Sequence, residues 1–314
     1  MEPFAYSDIG VDRLTARKGR QILSSFPPLA RGLDRWREGW LEKRDRRLLR
    51  RVRESRFDLI LVLRGETLSA SLFQNLRKSF SGPLATWWRD DPFRHPGLEL
   101  LPYYDSFFIF DRSYIGRLKK QGARRVEFLA CACDETVYSP QKLTSAERKR
   151  YRSDVALVAW HYPNRTEVVK ALAGLDLKVW GKGWAGAVHG IRSKDTFVEG
   201  REASKIYSAA SIGLNIHSDQ THQAGLNCRA FELPASGTFQ LTDYVEGMEE
   251  LLLPGKEVAV YRSPEEALER ATYYLKRPEE RAEILRRGRE RALREHTYLH
   301  RMRSLLKTMT GASS

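Results

Sequence analysis

Apolar runs of strand length alternate with amphipathic helical patterns along most of the 314-residue chain. This alternation is typical of parallel α/β domains, because the connection between two parallel strands is usually a helix. The run Leu-Ile-Leu-Val-Leu at 59–63 is apolar throughout, as expected when helices cover both faces of a sheet. Strands are predicted at 57–63, 83–88, 106–110, 125–130, 154–160, 177–180, 212–217, 238–242 and 257–261, and helices at 69–80, 278–295 and 298–309.

The pattern breaks at residues 138–152, where a Ser-Pro pair and a charged run interrupt the apolar rhythm. The chain is long enough for two α/β domains that each bury a core of their own. We therefore expect four parts: a basic N-terminal extension or helix at 1–56, an N-terminal domain at 57–148, a C-terminal domain at 149–296 and a closing helix at 297–314.

The first 56 residues fit this plan poorly, because a domain of this kind usually opens with a strand close to its N-terminus. They have the pattern of a loop followed by a basic helix, with 15 Lys and Arg against 5 Asp and Glu between residues 13 and 56. The first strand of the N-terminal domain is expected to be missing, replaced, or formed by residues 4–11. The sequence leaves these alternatives open.

The basic helix carries its apolar side chains on or near one face over residues 33–54. Basic amphipathic helices with tryptophan can lie on anionic membranes. This helix can equally pack on the domain with a solvated arginine face, because interspersed acidic residues supply partners at helical spacing. Nucleic acid is not expected as a partner, since no recognised nucleic-acid-binding module is present. The apolar residues are Leu33, Trp36, Trp40, Leu41, Leu48, Leu49 and Val52.

A buried strand, a polar loop and a helix follow one another at residues 212–237 and form the strongest candidate for a ligand site. Ligands of open α/β sheets bind at the carboxyl ends of strands, where helix N-termini present free N–H groups to phosphates. Asn227 opens the segment that leads into the helix, and His217 and Arg229 can add positive charge for a diphosphate. Glu232, as an ionised carboxylate, can accept two hydrogen bonds from a ribose diol. The alternative for Glu232 is a solvated helix carboxylate.

The sequence Phe-Glu-Leu-Pro-Ala-Ser-Gly-Thr-Phe-Gln-Leu-Thr-Asp at 231–243 resembles the nucleotide-sugar-binding segment of GT-B glycosyltransferases. In that segment a Glu lies five residues before the Gly that opens the next strand. The wider match is to the spore-maturation CgeB-like branch of the superfamily, of the group 1 type, over about residues 57–306. Its other motifs are Trp-Trp-Arg-Asp-Asp-Pro at 87–92, Tyr-Asp-Ser-Phe-Phe-Ile-Phe-Asp at 104–111, Tyr-Pro-Asn-Arg at 162–165, Trp-Gly-Lys-Gly-Trp at 180–184 and Glu-His-Thr-Tyr at 295–298 with Arg301.

The resemblance implies a GT-B fold, in which two Rossmann-like domains face a central cleft. The N-terminal domain would bind the acceptor, the C-terminal domain would bind the nucleotide sugar, and the closing helix would pack back on the N-terminal domain. The resemblance assigns Glu232 to the ribose and the loop before its helix to the phosphates. Many retaining members carry a second Glu eight residues earlier, where this chain has Ala224. That difference argues against a retaining mechanism of the usual kind.

Two further cations follow strands of the C-terminal domain. Arg165 lies at the start of a predicted helix, next to the N-cap candidate Asn164, from where it can reach a phosphate across the cleft. Lys182 lies in a Gly-Lys-Gly turn whose small residues permit close backbone approach to a ligand. A surface arginine and an exposed turn lysine are the respective alternatives.

Asp90 and Asp91 end a strand of the N-terminal domain and are the first candidates for a catalytic base. An inverting glycosyl transfer needs a group that takes the acceptor proton, and neighbouring negative charge raises the pKa of one carboxylate of a pair. A turn or cap before Pro92 is the alternative. His95 and His189 are further candidates.

No Asp-x-Asp motif occurs in the chain, so we predict neither a metal nor a cofactor besides the donor substrate. In this fold a helix dipole and basic residues would stabilise the leaving diphosphate instead. Cys131, Cys133 and Cys228 lack the spacing of a disulfide framework or a zinc site, and we expect them to be small core residues.

The predicted activity is metal-independent, hexosyltransferase-like transfer of a sugar from a UDP-, dTDP- or GDP-linked donor. The acceptor is a cell-envelope glycan, a protein or a small molecule. One alternative is a catalytically degenerate scaffold that serves as a nucleotide-binding, membrane or partner adaptor, and another is an epimerase or phosphorylase on the same fold. With no apolar run of about 20 residues and no apolar signal core, we expect a cytoplasmic protein, with peripheral contact at the inner face of the membrane as an option for residues 33–54.

Overall fold

The computed structural model describes residues 27–218 and 224–310, with side chains from residue 39 onward. It contains two parallel sheets of four and six strands, and α-helices connect most but not all of the successive strands. The predicted α/β fold with two parallel sheets is therefore confirmed. Within the described residues no strand precedes the one that begins at Ile60, and the candidate first strand at 4–11 lies outside them.

The first sheet has the strand order β1-β2-β3-β4, and its β2–β3 and β3–β4 pairs are parallel. The elements of this part are α1 (Pro27–Glu54), β1 (Ile60–Leu63), α2 (Ala70–Ser79), β2 (Leu84–Trp88), β3 (Ser106–Ile109), α3 (Ile115–Lys120) and β4 (Val126–Phe128). Short 3-10 turns lie at Pro92–Arg94, Leu98–Tyr103 and Arg112–Tyr114.

The second sheet places its strands in a different order from the chain, β10-β9-β8-β5-β6-β7, and every pair is parallel. Its elements are α4 (Ser145–Tyr151), β5 (Ser153–Val158), α5 (Pro163–Ala171), β6 (Leu177–Trp180), β7 (Arg192–Lys194), α6 (Gly200–Ala209), β8 (Ala210–Asn215), α7 (Arg229–Ala235), β9 (Gln240–Asp243), β10 (Ala259–Tyr261), α8 (Pro264–Leu275), α9 (Pro278–Glu295) and α10 (Tyr298–Thr310). Two more 3-10 turns lie at Leu172–Gly174 and Met248–Glu250.

The core of the second sheet explains why its strands are apolar at successive positions. Val155 and Leu157 of β5 belong to one apolar cluster, and Ala156 and Val158 belong to another. Alternate residues of a strand point to opposite faces, so both faces of β5 are buried. The helix residues in the first cluster are Val168, Val169, Ala267, Ala271 and Tyr274, and those in the second are Ala203, Ile206 and Tyr207.

Local sequence signals begin several helices at the observed positions. Thr144 and Glu147 form a capping box at α4, in which each side chain accepts the other residue's backbone N–H. Ser69 and Ser263 accept a backbone N–H at the start of α2 and α8. Proline occupies the first turn of α5, α8 and α9, where its missing N–H costs no helical hydrogen bond.

Helices α1 and α2 belong to a first compact unit, which runs to Ile60 and includes Leu68–Gly82. Within this unit Arg44 is buried and bonded to Asp45, whose carboxylate accepts from the Ser69 hydroxyl at 3.4 Å. A second compact unit comprises Leu61–Thr67 and the chain from Pro83 onward. None of the described helices is both long and apolar enough to cross a membrane.

The C-terminal helix α10 contacts the first sheet. Arg301 donates from Nε to the Ala130 carbonyl at 2.8 Å and from Nη2 to the Cys131 carbonyl at 2.9 Å. The Tyr298 ring meets the Trp87 ring edge to face, with centroids 5.9 Å apart. These contacts fasten the end of the chain to the segment that follows β4.

Candidate functional site

A cavity of about 410 Å³ lies where the two sheets meet, at the carboxyl ends of their strands. From the first sheet, Arg89 and Asp90 line it directly after β2. From the second sheet, the lining residues follow β5, β6 and β8 and include the start of α7. This is the edge of a parallel sheet at which α/β proteins bind their ligands.

The segment that leads into α7 is held by amide hydrogen bonds. Asn227 donates from Nδ2 to Asn215 Oδ1 at 2.9 Å, and Asn215 donates back to Asn227 Oδ1 at 3.2 Å. Asn227 Oδ1 also accepts the backbone N–H of Ala230 at 3.1 Å, which satisfies one of the free N–H groups at the helix start. At the other end Gly237 has φ +77, a conformation that favours glycine, so the predicted Gly after the Glu is required by the backbone.

Glu232 lines the cavity and is partly buried. Burial raises the pKa of its carboxyl to about 8, and negative charge on Cys228 adds to this, while Arg229 opposes it. The Tyr138 hydroxyl is a hydrogen-bond partner of the carboxyl and also accepts the Gly200 N–H at 3.2 Å. Burial therefore favours a protonated Glu232 at neutral pH, because ionisation would leave a poorly solvated charge, and the predicted contact of Glu232 with a ribose stays a prediction.

Arg229 and Arg165 place two guanidinium groups at the cavity. Arg229 donates from Nε to the Val158 carbonyl at 2.9 Å and from Nη1 to Asn215 Oδ1 at 2.8 Å. A further side-chain hydrogen bond joins Arg229 to the Tyr207 hydroxyl, which also lines the cavity.

The alternative prediction, that Arg165 is a surface arginine, is wrong, because the residue is only 5% exposed. Its guanidinium donates to the carbonyls of Ile216 (2.9 Å from Nη2) and Trp160 (2.5 Å from Nη1), and thereby ties the ends of β8 and β5 together. Burial, and then the like charge of Arg229, lower its pKa to about 9. Arg165 therefore has a structural role, and it also lines part of the cavity.

Asp90 is the member of the predicted carboxylate pair that lines the cavity. It belongs to a charged cluster with Arg64, Glu66 and His95, in which His95 Nε2 lies 3.4 Å from Asp90 Oδ2 and His95 Nδ1 lies 3.1 Å from Glu66 Oε2. Arg64 Nη1 lies 3.8 Å from Asp90 Oδ2. Arg64 has φ +68, which is uncommon for a residue other than glycine and is concentrated at functional sites.

Three of the predicted site residues do not line the cavity. Asp91 is buried and caps a 3-10 turn, accepting the Phe93 N–H at 2.8 Å, so the cap interpretation applies to it. His217 is buried against Asp243, with Nδ1 2.8 Å from Oδ1. Lys182 is exposed, and its Nζ lies 6.0 Å from the centroid of the Trp160 ring. The further base candidate His189 is exposed outside the cavity.

The glycine of the Lys182 turn is nevertheless part of the site. Gly181 lines the cavity with φ +144, and a Cβ there would lie 1.9 Å from the Ala159 carbonyl oxygen. Gly181 thus permits a close approach between the ends of β5 and β6, while the predicted backbone approach to a ligand stays a prediction.

The sequence interpretation missed several lining residues. Arg89 donates to the Tyr298 hydroxyl at 2.6 Å and lies 3.6 Å from Cys228 Sγ. Arg89 directly follows a predicted strand, and the half-exposed Trp160 ends another. Because ligands bind at the carboxyl ends of strands, this position could have identified both residues as part of a site. Tyr138 comes from the segment between the sheets, where no sequence pattern marks it. The expectation that Cys228 is a core residue is wrong, since it is partly exposed and lines the cavity.

Within residues 27–218 and 224–310, no group of three or more His, Cys, Asp or Glu side chains is arranged to hold a metal ion. The loop that joins β8 to α7 includes residues 219–223, which lie outside the described residues. Its far end is fixed to the first sheet, because the buried Asp111 accepts the Ala224 N–H on Oδ2 at 3.0 Å.

Comparison with known proteins agrees with this geometry. Residues 165–307 match the family model of glycosyl transferase-like proteins. HepE of Anabaena, solved in complex with UDP and glucose, superposes with a TM-score of 0.63 at 12% identity over 85% of this chain and 81% of that chain. Sucrose-phosphate synthase of Thermosynechococcus elongatus gives 0.59 at 14% identity over 82% of this chain and 75% of that chain. At these identities the two structures establish the fold.

The fold is that of the GT-B class, and the region that matches the glycosyl transferase-like family, residues 165–307, is slightly less than half of the chain. The chain is also a distant homologue of spore protein CgeB of Bacillus subtilis, with 24% identity over 220 residues. The match covers 63% of this chain and 66% of that protein, slightly less than two thirds of its length.

Proposed function

We propose that this protein transfers a sugar from a nucleotide-sugar donor, with a UDP-linked sugar as the first candidate, to an acceptor hydroxyl. The observation that carries the proposal is the convergence of Glu232, Arg229, Arg89 and Asp90 on one cavity at the carboxyl ends of two parallel sheets. UDP is preferred over dTDP and GDP because the similar Anabaena HepE was solved with UDP-glucose.

In this proposal Glu232 binds the ribose diol and the arginines bind the diphosphate. A carboxyl group beside a diol can accept hydrogen bonds when ionised and can also donate one when protonated. Arg229 and Arg89 reach the cavity from different sheets, so together they can neutralise a diphosphate from two sides. This charge would stabilise the leaving group without a metal.

Asp90 is the proposed catalytic base of an inverting transfer. Its carboxylate would take the proton from the acceptor hydroxyl while that oxygen bonds to the anomeric carbon and the bond to the diphosphate oxygen breaks. Arg64 Nη1 lies 3.8 Å from Asp90 Oδ2 and attracts the carboxylate by its charge. His95 keeps the carboxylate in place through its contact at 3.4 Å.

The acceptor is proposed to be a cell-envelope glycan, a protein or a small molecule, and contact with an anionic membrane through residues 33–54 is part of this proposal. On the described part of α1, the arginines at 46, 47, 50, 51 and 53 are exposed, which suits a basic surface near a membrane. The side chains of residues 33–38 lie outside the described ones. A nucleotide-binding scaffold without transfer is the second candidate, favoured by Ala224 at the position of the second Glu.

Nucleotide binding tests the proposal. UDP at millimolar concentration is expected to raise the melting temperature of the wild type, and Glu232→Ala is expected to remove most of that increase. Glu167→Ala is the matched control, because Glu167 is an exposed helix carboxylate paired with Lys170 at 2.9 Å, away from the cavity. An unchanged UDP response in Glu232→Ala, or none in the wild type with any nucleoside diphosphate, would contradict it.

Transfer chemistry is tested separately from binding. Asp90→Asn is expected to keep UDP binding and to lower UDP release from UDP-glucose by about 10²-fold or more, the typical contribution of a general base. Release that does not depend on Asp90 would reject Asp90 as the base. Binding without any release, across UDP-, dTDP- and GDP-sugars, would favour the scaffold.

A further inference from the structure

Two cysteines that are distant in sequence lie side by side in the wall of the cavity. Cys131 follows β4 of the first sheet, and Cys228 directly precedes α7 of the second. Both line the cavity, and their thiols interact as hydrogen-bond partners. Cys131 is 1% exposed, whereas Cys228 is partly exposed, so a solute in the cavity reaches Cys228 first.

The surroundings of Cys228 favour its reactive form. Its Sγ lies 3.6 Å from Arg89 Nη1 and 3.9 Å from the Tyr298 hydroxyl. The hydrogen bond from Cys131, and then the positive charge of Arg89, lower the pKa of the Cys228 thiol against the opposing effect of burial. A thiolate beside a cation and open to solvent is the kind of cysteine that reacts with peroxides.

Cys133 has none of these features, although it is only two residues from Cys131. It is buried, does not line the cavity, and its thiol donates to the His296 carbonyl at 3.6 Å. Burial raises the pKa of this thiol to about 12. The contrast makes Cys133 an internal control.

We propose that Cys131 and Cys228 are a peroxide-sensitive pair whose reversible disulfide switches off nucleotide-sugar binding. The Cys228 thiolate attacks one peroxide oxygen, so that an S–O bond forms, the O–O bond breaks and hydroxide leaves. The Cys131 thiol then attacks the sulfur of the Cys228 sulfenic acid, forming the S–S bond and releasing water that carries the Cys131 proton. Both cysteines are oxidised, and the peroxide is reduced to water.

The effect on binding rests on the proposed function. An S–S bond of about 2.05 Å is shorter than any contact between hydrogen-bonded thiols, so the two sulfur atoms must approach each other when the bond forms. Cys228 lies between Asn227 and Arg229, and we expect a shift of Cys228 to disturb the position of both at the cavity wall. The bond also links the segment after β4 to α7, so the two walls of the cavity are no longer free to separate for a ligand.

The experiment treats the full-length protein with hydrogen peroxide and then maps its peptides under non-reducing conditions. A linked pair of peptides containing Cys131 and Cys228 is expected, with separation by dithiothreitol. UDP is the probe for the second half: we expect at least a tenfold loss of UDP affinity on oxidation and full recovery on reduction. Cys131→Ser is expected to stop at a Cys228 sulfenic acid that dimedone captures, and Cys133→Ser to behave as the wild type.

The outcomes separate this proposal from the proposed function. A disulfide at other positions, or only sulfinic and sulfonic acids, overturns the pairing. A Cys131–Cys228 disulfide with unchanged UDP affinity overturns the switch. If the reduced protein binds no nucleotide at all, the proposed function fails, and with it the switch, while the peptide map still decides whether the two cysteines pair.

Discussion

At the scale of single residues, the site combines the Glu232 carboxyl, whose pKa is raised by burial, with the buried Arg165 and the partly buried Arg229. Glu232 is the residue for which the sequence was most informative, since its position one turn into a helix after a strand was enough to predict a ligand site. Its protonation was not predictable, because the pKa depends first on the burial of the carboxyl, which only the folded chain produces.

The Glu232 pKa predicts a pH dependence of stability. Between about pH 4.5 and pH 8 the folded protein keeps a proton on Glu232 that the unfolded chain releases, so this residue's contribution to stability falls as pH rises. Glu232→Gln imitates the neutral form and lacks this fall. The unfolding free energy of the wild type minus that of Glu232→Gln should decrease by roughly 1–3 kcal/mol from about pH 5 to about pH 8.

Urea unfolding of both proteins across this range measures the difference. A difference that stays constant with pH would mean that the Glu232 carboxyl titrates as an ordinary one.

The hydrogen bonds of Arg165 predict that its substitution lowers the free energy of unfolding even when no ligand is bound. Arg165→Met removes the donors to the Ile216 and Trp160 carbonyls and leaves buried acceptors unpaired. We expect a loss of about 2–4 kcal/mol in the unfolding free energy. Arg192→Met, which breaks an exposed ion pair with Asp176, is the control and should cost less than about 1 kcal/mol. Equal effects of the two substitutions would show that Arg165 is not structural.

At the scale of elements, the predicted strands and helices recur within a few residues of their observed ends, because each is marked by an apolar run or a cap. Helix Pro278–Glu295 matches its prediction at both ends. Strand β7 was missed because its Arg192 and Lys194 are exposed and no apolar pattern marks a three-residue edge strand. Asp91 was predicted as a base together with Asp90, because sequence alone does not distinguish two adjacent aspartates. The structure distinguishes them, because Asp91 caps the 3-10 turn that begins at Pro92.

The hydrogen bond between Asp111, which follows β3 of the first sheet, and the loop before α7 predicts that Asp111 affects UDP binding. Asp111→Ala removes the acceptor of the Ala224 N–H, so the loop loses its attachment beside the donor site. We expect UDP affinity to fall about threefold to tenfold, which corresponds to about 1 kcal/mol for one hydrogen bond. Calorimetric titration with UDP measures it.

Asp134→Ala is the matched control for this substitution. Asp134 accepts from the N–H and hydroxyl of Thr136, as Asp111 does from those of Ser113, but it is Asp111 that also accepts the Ala224 N–H of the loop. Equal UDP affinities of the two variants would mean that Asp111 acts only as a local cap.

At the scale of the whole molecule, the site exists because two parallel sheets place the carboxyl ends of their strands at one cavity. Sequence patterns predict each sheet separately, through local periodicity. They do not predict which residues of one sheet meet those of the other, and for this reason Arg89, Tyr138 and the Cys131–Cys228 pair were not identified as neighbours. Three of the predicted residues that line the cavity, Asn227, Arg229 and Glu232, lie within one strand–loop–helix segment, whereas Asp90 and Arg165 come from other strand ends.

The central claim is that this cavity binds the nucleotide of a sugar donor, and a crystal structure of the full chain soaked with UDP tests it most directly. We expect the ribose hydroxyls within hydrogen-bonding distance of the Glu232 carboxyl and the diphosphate between Arg229 and Arg89. UDP bound elsewhere, or a cavity without nucleotide at millimolar UDP, would contradict it.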